Sequence, residues 1–126
     1  MLTVIAICIG ACVGALSRWQ LGLWFNHSHA LIPWGTLAAN LIGGYLVGVC
    51  IGVFQQMPEL NPIWRMTLVT GFLGALTTFS SFSAEVVTML QQARYALALG
   101  TTSVHLFGSL ALTLLGLKTV AVFWVR

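Results

Sequence analysis

Residues 63–92 form an apolar stretch that carries Gly71-Phe72-Leu73-Gly74-Ala75-Leu76-Thr77-Thr78-Phe79-Ser80-Ser81-Phe82-Ser83 near its middle. Two glycines and five hydroxyl side chains are a poor choice for a plain membrane helix, yet the stretch is long enough to cross a bilayer. Backbone polar groups released at that depth persist only where they are buried in protein or line a cavity. The block therefore predicts two half-helices meeting inside the membrane, with an ion site at their junction.

The rest of the chain has the same solvent preference. Of 126 residues, 59% are hydrophobic and 6% charged, where a soluble domain carries about a quarter charged residues. Apolar segments at about 2–25, 33–54, 63–92 and 95–124 predict an all-α membrane protein with four transmembrane helices, the third broken, in a single domain over 1–126. Pro33 and Pro62 stand where helices restart, and Gln55-Gln56-Met57-Pro58-Glu59-Leu60-Asn61-Pro62 reads as the clearest loop. No basic stretch precedes the first apolar run, so that run is expected to stay in the membrane rather than be cleaved.

Glycines recur at helix-packing spacing: Gly10 and Gly14, then Gly44, Gly48 and Gly52, then Gly108 and Gly116. They predict close helix approach and oligomerisation. Cys8, Cys12 and Cys50 match neither a disulfide framework nor a zinc site and read as small packing residues. The His27-x-His29 pair lacks the further ligands that a metal site needs. A net charge of +3, scattered over the chain, argues against a nucleic-acid surface.

If each segment crosses once, Arg65, Lys118 and Arg126 fall on one side of the membrane, and Arg18 and Arg94 on the other. Because Lys and Arg asymmetry sets orientation, so balanced a chain is expected to insert both ways up. Two opposed copies would then pair about an axis in the membrane plane, supplying an inverted repeat.

A half-helix ending before the hydroxyl block presents free carbonyls, and one starting after it presents free amides. Carbonyls around Gly74 and Thr77 suit a small hard cation such as Na+, and the amide and hydroxyl side suits an anion. Phe79 and Phe82 lie three apart on one helical face, and aromatic edges are electropositive, so they can stabilise a dehydrated anion. The competing reading places both rings against lipid or core. Asn40 and Thr36 in the second segment, and His105 and Ser109 in the fourth, are polar at depths where polar groups point inward, either to a pathway or to a neighbouring helix. Arg18 is placed to attract anions to a vestibule, and Glu85 to pair with an arginine or cap a network. Without a nucleophilic triad, paired carboxylates or a phosphate loop, the chain is not expected to be an enzyme.

Three motifs occur in order: Gly10-x-x-x-Gly14-Ala15-x-x-Arg18, Pro33-x-Gly35-Thr36-Leu37-x-x-Asn40-x-x-Gly43-Gly44, and Gly71-x-x-Gly74-x-x-Thr77-Thr78-Phe79-Ser80-Ser81-Phe82-Ser83-x-Glu85. Together they resemble, over essentially the whole chain, the small bacterial fluoride channels of the Fluc family, also called CrcB. The resemblance implies a dual-topology antiparallel homodimer in the bacterial inner membrane, passing fluoride passively through two pores around a central structural Na+. It implies backbone oxygens of Gly74 and Thr77 as Na+ ligands, and Phe79 and Phe82 lining the pathways. Asn40 would donate to fluoride or orient the lining. Ser80, Ser83, Thr36 and Ser109 would form polar tracks, and Arg18 would sit near an aqueous vestibule. His105 departs from the small hydroxyl of some relatives, and Ser81 from the usual threonine. The alternative is a proton-coupled small-multidrug exporter, which wants an exchangeable carboxylate in the first helix; the intramembrane carboxylate here is Glu85 in the third.

Overall fold

A computed structural model describes residues 1–26 and 31–124, so His27, His29 and Arg126 lie outside the described residues. Every regular element among them is helical: α1 (Leu2–Phe25), α2 (Trp34–Gln56), α3 (Pro62–Arg65), a π-helical stretch (Met66–Leu73), α4 (Gly74–Leu76), α5 (Phe79–Gln91) and α6 (Tyr95–Trp124). Among the described residues four spans are long and apolar enough to cross a membrane: Leu2–Phe25, Trp34–Gln56, Pro62–Gln91 and Tyr95–Trp124. Helix 2 thus starts one residue later and ends two later than its hydropathy indicates.

Local chemistry sets the ends. The Asn61 side chain accepts from the Ile63 amide at 3.0 Å with Pro62 in the first turn, so the third span starts where a missing amide hydrogen costs nothing. Its far end closes with a paired turn: the Arg94 amide donates to the Met89 carbonyl at 2.9 Å, and the Ala93 amide to Leu90 at 3.0 Å. Ala93 occupies the left-handed position of that turn, with φ 58°. An L side chain is strained there, by about 1 kcal/mol. Ala93→Gly is therefore expected to raise stability by about 1 kcal/mol, read as a higher unfolding temperature in detergent; an unchanged or lower one refutes this.

Helix packing runs in two pairs, α2 on α6 and α1 on the π-helical stretch and α4. Glycines make both pairs possible. A Cβ on Gly10 would lie 2.9 Å from the Phe72 amide nitrogen, and one on Gly14 3.0 Å from that of Leu76. Across the other seam, Gly44 faces the Ser109 backbone, Gly48 that of Thr113, and Gly116 that of Tyr45 and Val49. Such approach gains dispersion contact where lipid offers no hydrophobic drive. Thr113 adds a hydroxyl bond to the Gly44 carbonyl at 2.9 Å.

The core is small, centred on Ala39, Leu73 and Leu76, with Leu21, Leu46, Val47, Cys50 and Phe72 against it. Large apolar side chains elsewhere face outward along all the long helices, among them Trp19, Leu99, Phe107 and Phe123. A protomer so built is inside-out by aqueous standards and consistent with lipid as solvent. Cys8 and Cys12 are exposed on α1 of the protomer, whereas Cys50 is half-buried.

Candidate ion pathway

Helical geometry stops at Leu76 and restarts at Phe79, because Thr77 (φ −78°, ψ 152°) and Thr78 (φ −148°, ψ 113°) are extended. Asn40 of α2 holds this point. Its Oδ1 accepts from the Thr78 amide at 2.7 Å, and its Nδ2 donates to the Thr78 carbonyl at 3.1 Å. One side-chain amide thus replaces the two backbone partners that Thr78 would have in a continuous helix. Gly43, one turn on, leaves room for the Thr77 methyl, which a Cβ there would overlap.

Thr78 also starts α5, its Oγ1 accepting from the Ser81 amide at 3.1 Å and lying 3.1 Å from the hydroxyls of Ser80 and Ser81. These bonds leave carbonyls behind. In an unbroken helix the Gly74 carbonyl would receive the Thr78 amide and the Thr77 carbonyl the Ser81 amide. Here those amides go to Asn40 and to the Thr78 hydroxyl. Thr77 itself turns back, its amide and hydroxyl both donating to the Leu73 carbonyl at 3.0 and 2.9 Å.

Two cavities meet at this junction. The larger, about 650 Å³, is bordered by Asn40, Gly74, Thr77, Phe79, Phe82 and His105, with Ser109 further along α6. Phe79 is 79% exposed and meets Phe82 edge-on, centroids 5.4 Å apart and planes at 60°. Phe82 in turn lies 4.6 Å from the His105 ring. The smaller cavity, about 420 Å³, is bordered by Arg18, Trp19, Asn26, Thr36 and Ser81. Thr78 borders both.

The chain matches the family described as CrcB-like protein, Camphor Resistance (CrcB), over residues 5–117. The chain belongs to this family. Among its relatives, proteins named fluoride-specific ion channel FluC are 68% identical in Albidiferax ferrireducens (94% of this chain, 91% of the relative) and 62% identical in Variovorax paradoxus (95% of each). The Paracidovorax citrulli protein of that name is 57% identical over 99% of this chain and 98% of its own length. The chain is thus a multi-pass, non-enzymatic member of the CrcB-like family.

Set against the sequence expectations, this CrcB-like fold brings Asn40, Phe79, Phe82, His105, Ser109, Gly74 and Thr77 around one cavity and sends Arg18 and Thr36 to the other. Ser80 borders neither and meets the Thr78 hydroxyl; Ser83 is half-buried and also borders neither. Of the two roles expected of Glu85, an arginine partner or a network cap, the structure shows a hydroxyl bond, Thr36 donating to its Oε1 at 2.5 Å. Its Oε2 is buried with no partner among the described residues. Thr78, which the sequence offers only as one hydroxyl flanking Phe79, serves the site through its backbone and as the cap of α5. Its signal was available: a threonine immediately before a restarted helix is a preferred N-cap.

Proposed function

We propose that this chain is a passive fluoride-selective channel, working as an antiparallel dual-topology homodimer in the bacterial inner membrane, with two pores and the third span interrupted at mid-membrane. The printed name of its relatives supports the ion. The observation that carries the reading is the extended Thr77-Thr78 segment beside an open cavity, since unwound backbone in a membrane span is tolerated where it borders a cavity or another protein surface.

In this reading Arg18 draws the anion into the smaller cavity by its charge. Phe79 and Phe82 then meet it with ring edges, which favour an anion and offer a cation nothing. The Ser109 hydroxyl, on the wall of the larger cavity, can replace a water donor there. Thr36 acts through Glu85, to which its hydroxyl donates, while Ser80 and Ser83 act behind the walls, Ser80 through the Thr78 hydroxyl. Asn40 acts by orientation, because its Nδ2 protons are directed at Thr78 and His105. The carbonyls of Gly74 and Thr77 are hard oxygen donors without their helical amides, which fits Na+; they would hold it together with the same oxygens of a second copy. When bound, the cation would neutralise the partial negative charge of the two half-helix ends.

The test is fluoride and chloride efflux from vesicles containing the purified protein, with no pH gradient imposed. Fluoride is expected to leave down its own gradient, unaccompanied by chloride. Efflux that appears only with a proton gradient, or binding of a lipophilic cation that Glu85→Gln abolishes, would replace this reading with the proton-coupled exporter.

A further inference from the structure

His105 is 6% exposed, and its two ring nitrogens have different surroundings. Nδ1 lies 3.1 Å from Asn40 Nδ2. Nε2 is buried without a hydrogen-bond partner among the described residues. The orientation of the Asn40 amide is not a free choice. The Thr78 amide can only donate, so the atom 2.7 Å from it is the Asn40 oxygen; the Thr78 carbonyl can only accept, so the atom 3.1 Å from it is the nitrogen. That nitrogen has a second proton, and it faces His105 Nδ1. A ring nitrogen facing a donor must present its lone pair, which in a neutral imidazole puts the proton on the other nitrogen.

We propose that the Thr78 backbone, acting through Asn40, fixes His105 as its neutral Nε2–H tautomer, and that this N–H is a donor for the permeating anion. The His105 ring borders the larger cavity, its centroid 4.6 Å from that of Phe82 with the planes tilted by 34°. A buried N–H with no partner is costly to keep. A small dehydrated anion is a partner of the right sign and size, and Phe82 holds the ring in place to meet it. The junction and the fourth helix are therefore linked: the same amide that supports the extended Thr78 backbone determines what His105 offers the cavity. The donor role rests on the fluoride-channel reading; the tautomer does not.

The test is 15N NMR of histidine-labelled protein in lipid bilayers, with His27 and His29 replaced by glutamine so that one labelled imidazole remains. The expected spectrum has an unprotonated Nδ1 and a protonated Nε2. Asn40→Asp, which presents oxygen to the ring in place of nitrogen, is expected to protonate Nδ1. A protonated Nδ1 in the protein with Asn40 intact overturns the tautomer. Adding fluoride, but not gluconate, is expected to shift the Nε2–H signal, and a signal indifferent to fluoride overturns the donor role. In flux, His105→Phe keeps a ring against Phe82 but removes the N–H, and should lower fluoride efflux about tenfold or more, as loss of one hydrogen bond to a charged group implies. His105→Gln, which restores an N–H, should recover most of it. Unaltered efflux in His105→Phe overturns the donor role. Absence of fluoride efflux from the unsubstituted protein removes the channel reading and the donor role with it, and leaves the tautomer to the Nδ1 signal.

Discussion

Asn40→Leu is expected to remove fluoride efflux and to lower stability by about 3 kcal/mol. Leucine has the branched outline of asparagine with bulkier methyl ends, so no cavity opens and the substitution acts through lost hydrogen bonds. Three groups lose their partner at once: the Thr78 amide, the Thr78 carbonyl and His105 Nδ1. Each buried group left unpaired costs about 1 kcal/mol, toward the lower end of the general range because side-chain bonds within membranes average less than in water. The extended segment then has no reason to stay extended, and the Thr78 amide is free to return to the Gly74 carbonyl. Asn40→Asp should fall between, since it still accepts from the Thr78 amide but offers nothing to the carbonyl. Thermal unfolding in detergent, beside vesicle efflux, checks both parts. Normal efflux from Asn40→Leu would show that Thr78 is held by something other than this side chain.

The spans were legible in the sequence because the bilayer core imposes a length, and 126 residues with so few charges leave little freedom in where four such lengths go. The packing glycines were legible for a related reason: small residues one turn or two apart mark a seam, and Gly10, Gly14, Gly44, Gly48 and Gly116 each face a neighbouring backbone. What was hidden is what lies across the seams. Thr36 and Glu85 are 49 residues apart, and Asn40 and Thr78 are 38 apart. Nothing in the neighbourhood of either member encodes its partner, so the sequence leaves Glu85 between an arginine and a hydrogen-bond network, and only the fold shows it taking the Thr36 hydroxyl. The π-helical stretch Met66–Leu73 was equally hidden. Apolar residues there satisfy a wide or a narrow helix alike, and the sequence does not mark how closely the stretch packs on α1, where a Cβ on Gly71 would lie 2.6 Å from the Ile7 carbonyl oxygen.

Which glycines matter is therefore a question that spacing poses and geometry answers, and one pair of substitutions separates the two. Gly48→Ala is expected to lower stability by about 3 kcal/mol, whereas Gly100→Ala should raise it by about 1 kcal/mol. A Cβ on Gly48 would overlap the Thr113 carbonyl oxygen and stand 3.1 Å from the Leu117 amide nitrogen. Both are backbone atoms of a helix that cannot yield locally, so α6 must move away from α2 as a whole. That movement would also stretch the Thr113 bond to the Gly44 carbonyl and draw Ser109 off the cavity wall. A Cβ on Gly100 meets nothing within 4 Å in the protomer, which leaves only the ordinary gain in helix propensity. The two unfolding temperatures should move in opposite directions. If Gly48→Ala unfolds with the parent, the close seam between α2 and α6 is refuted. If Gly100→Ala loses stability instead of gaining it, the outer face of α6 at Gly100 is covered, and in a homodimer the cover is the second copy.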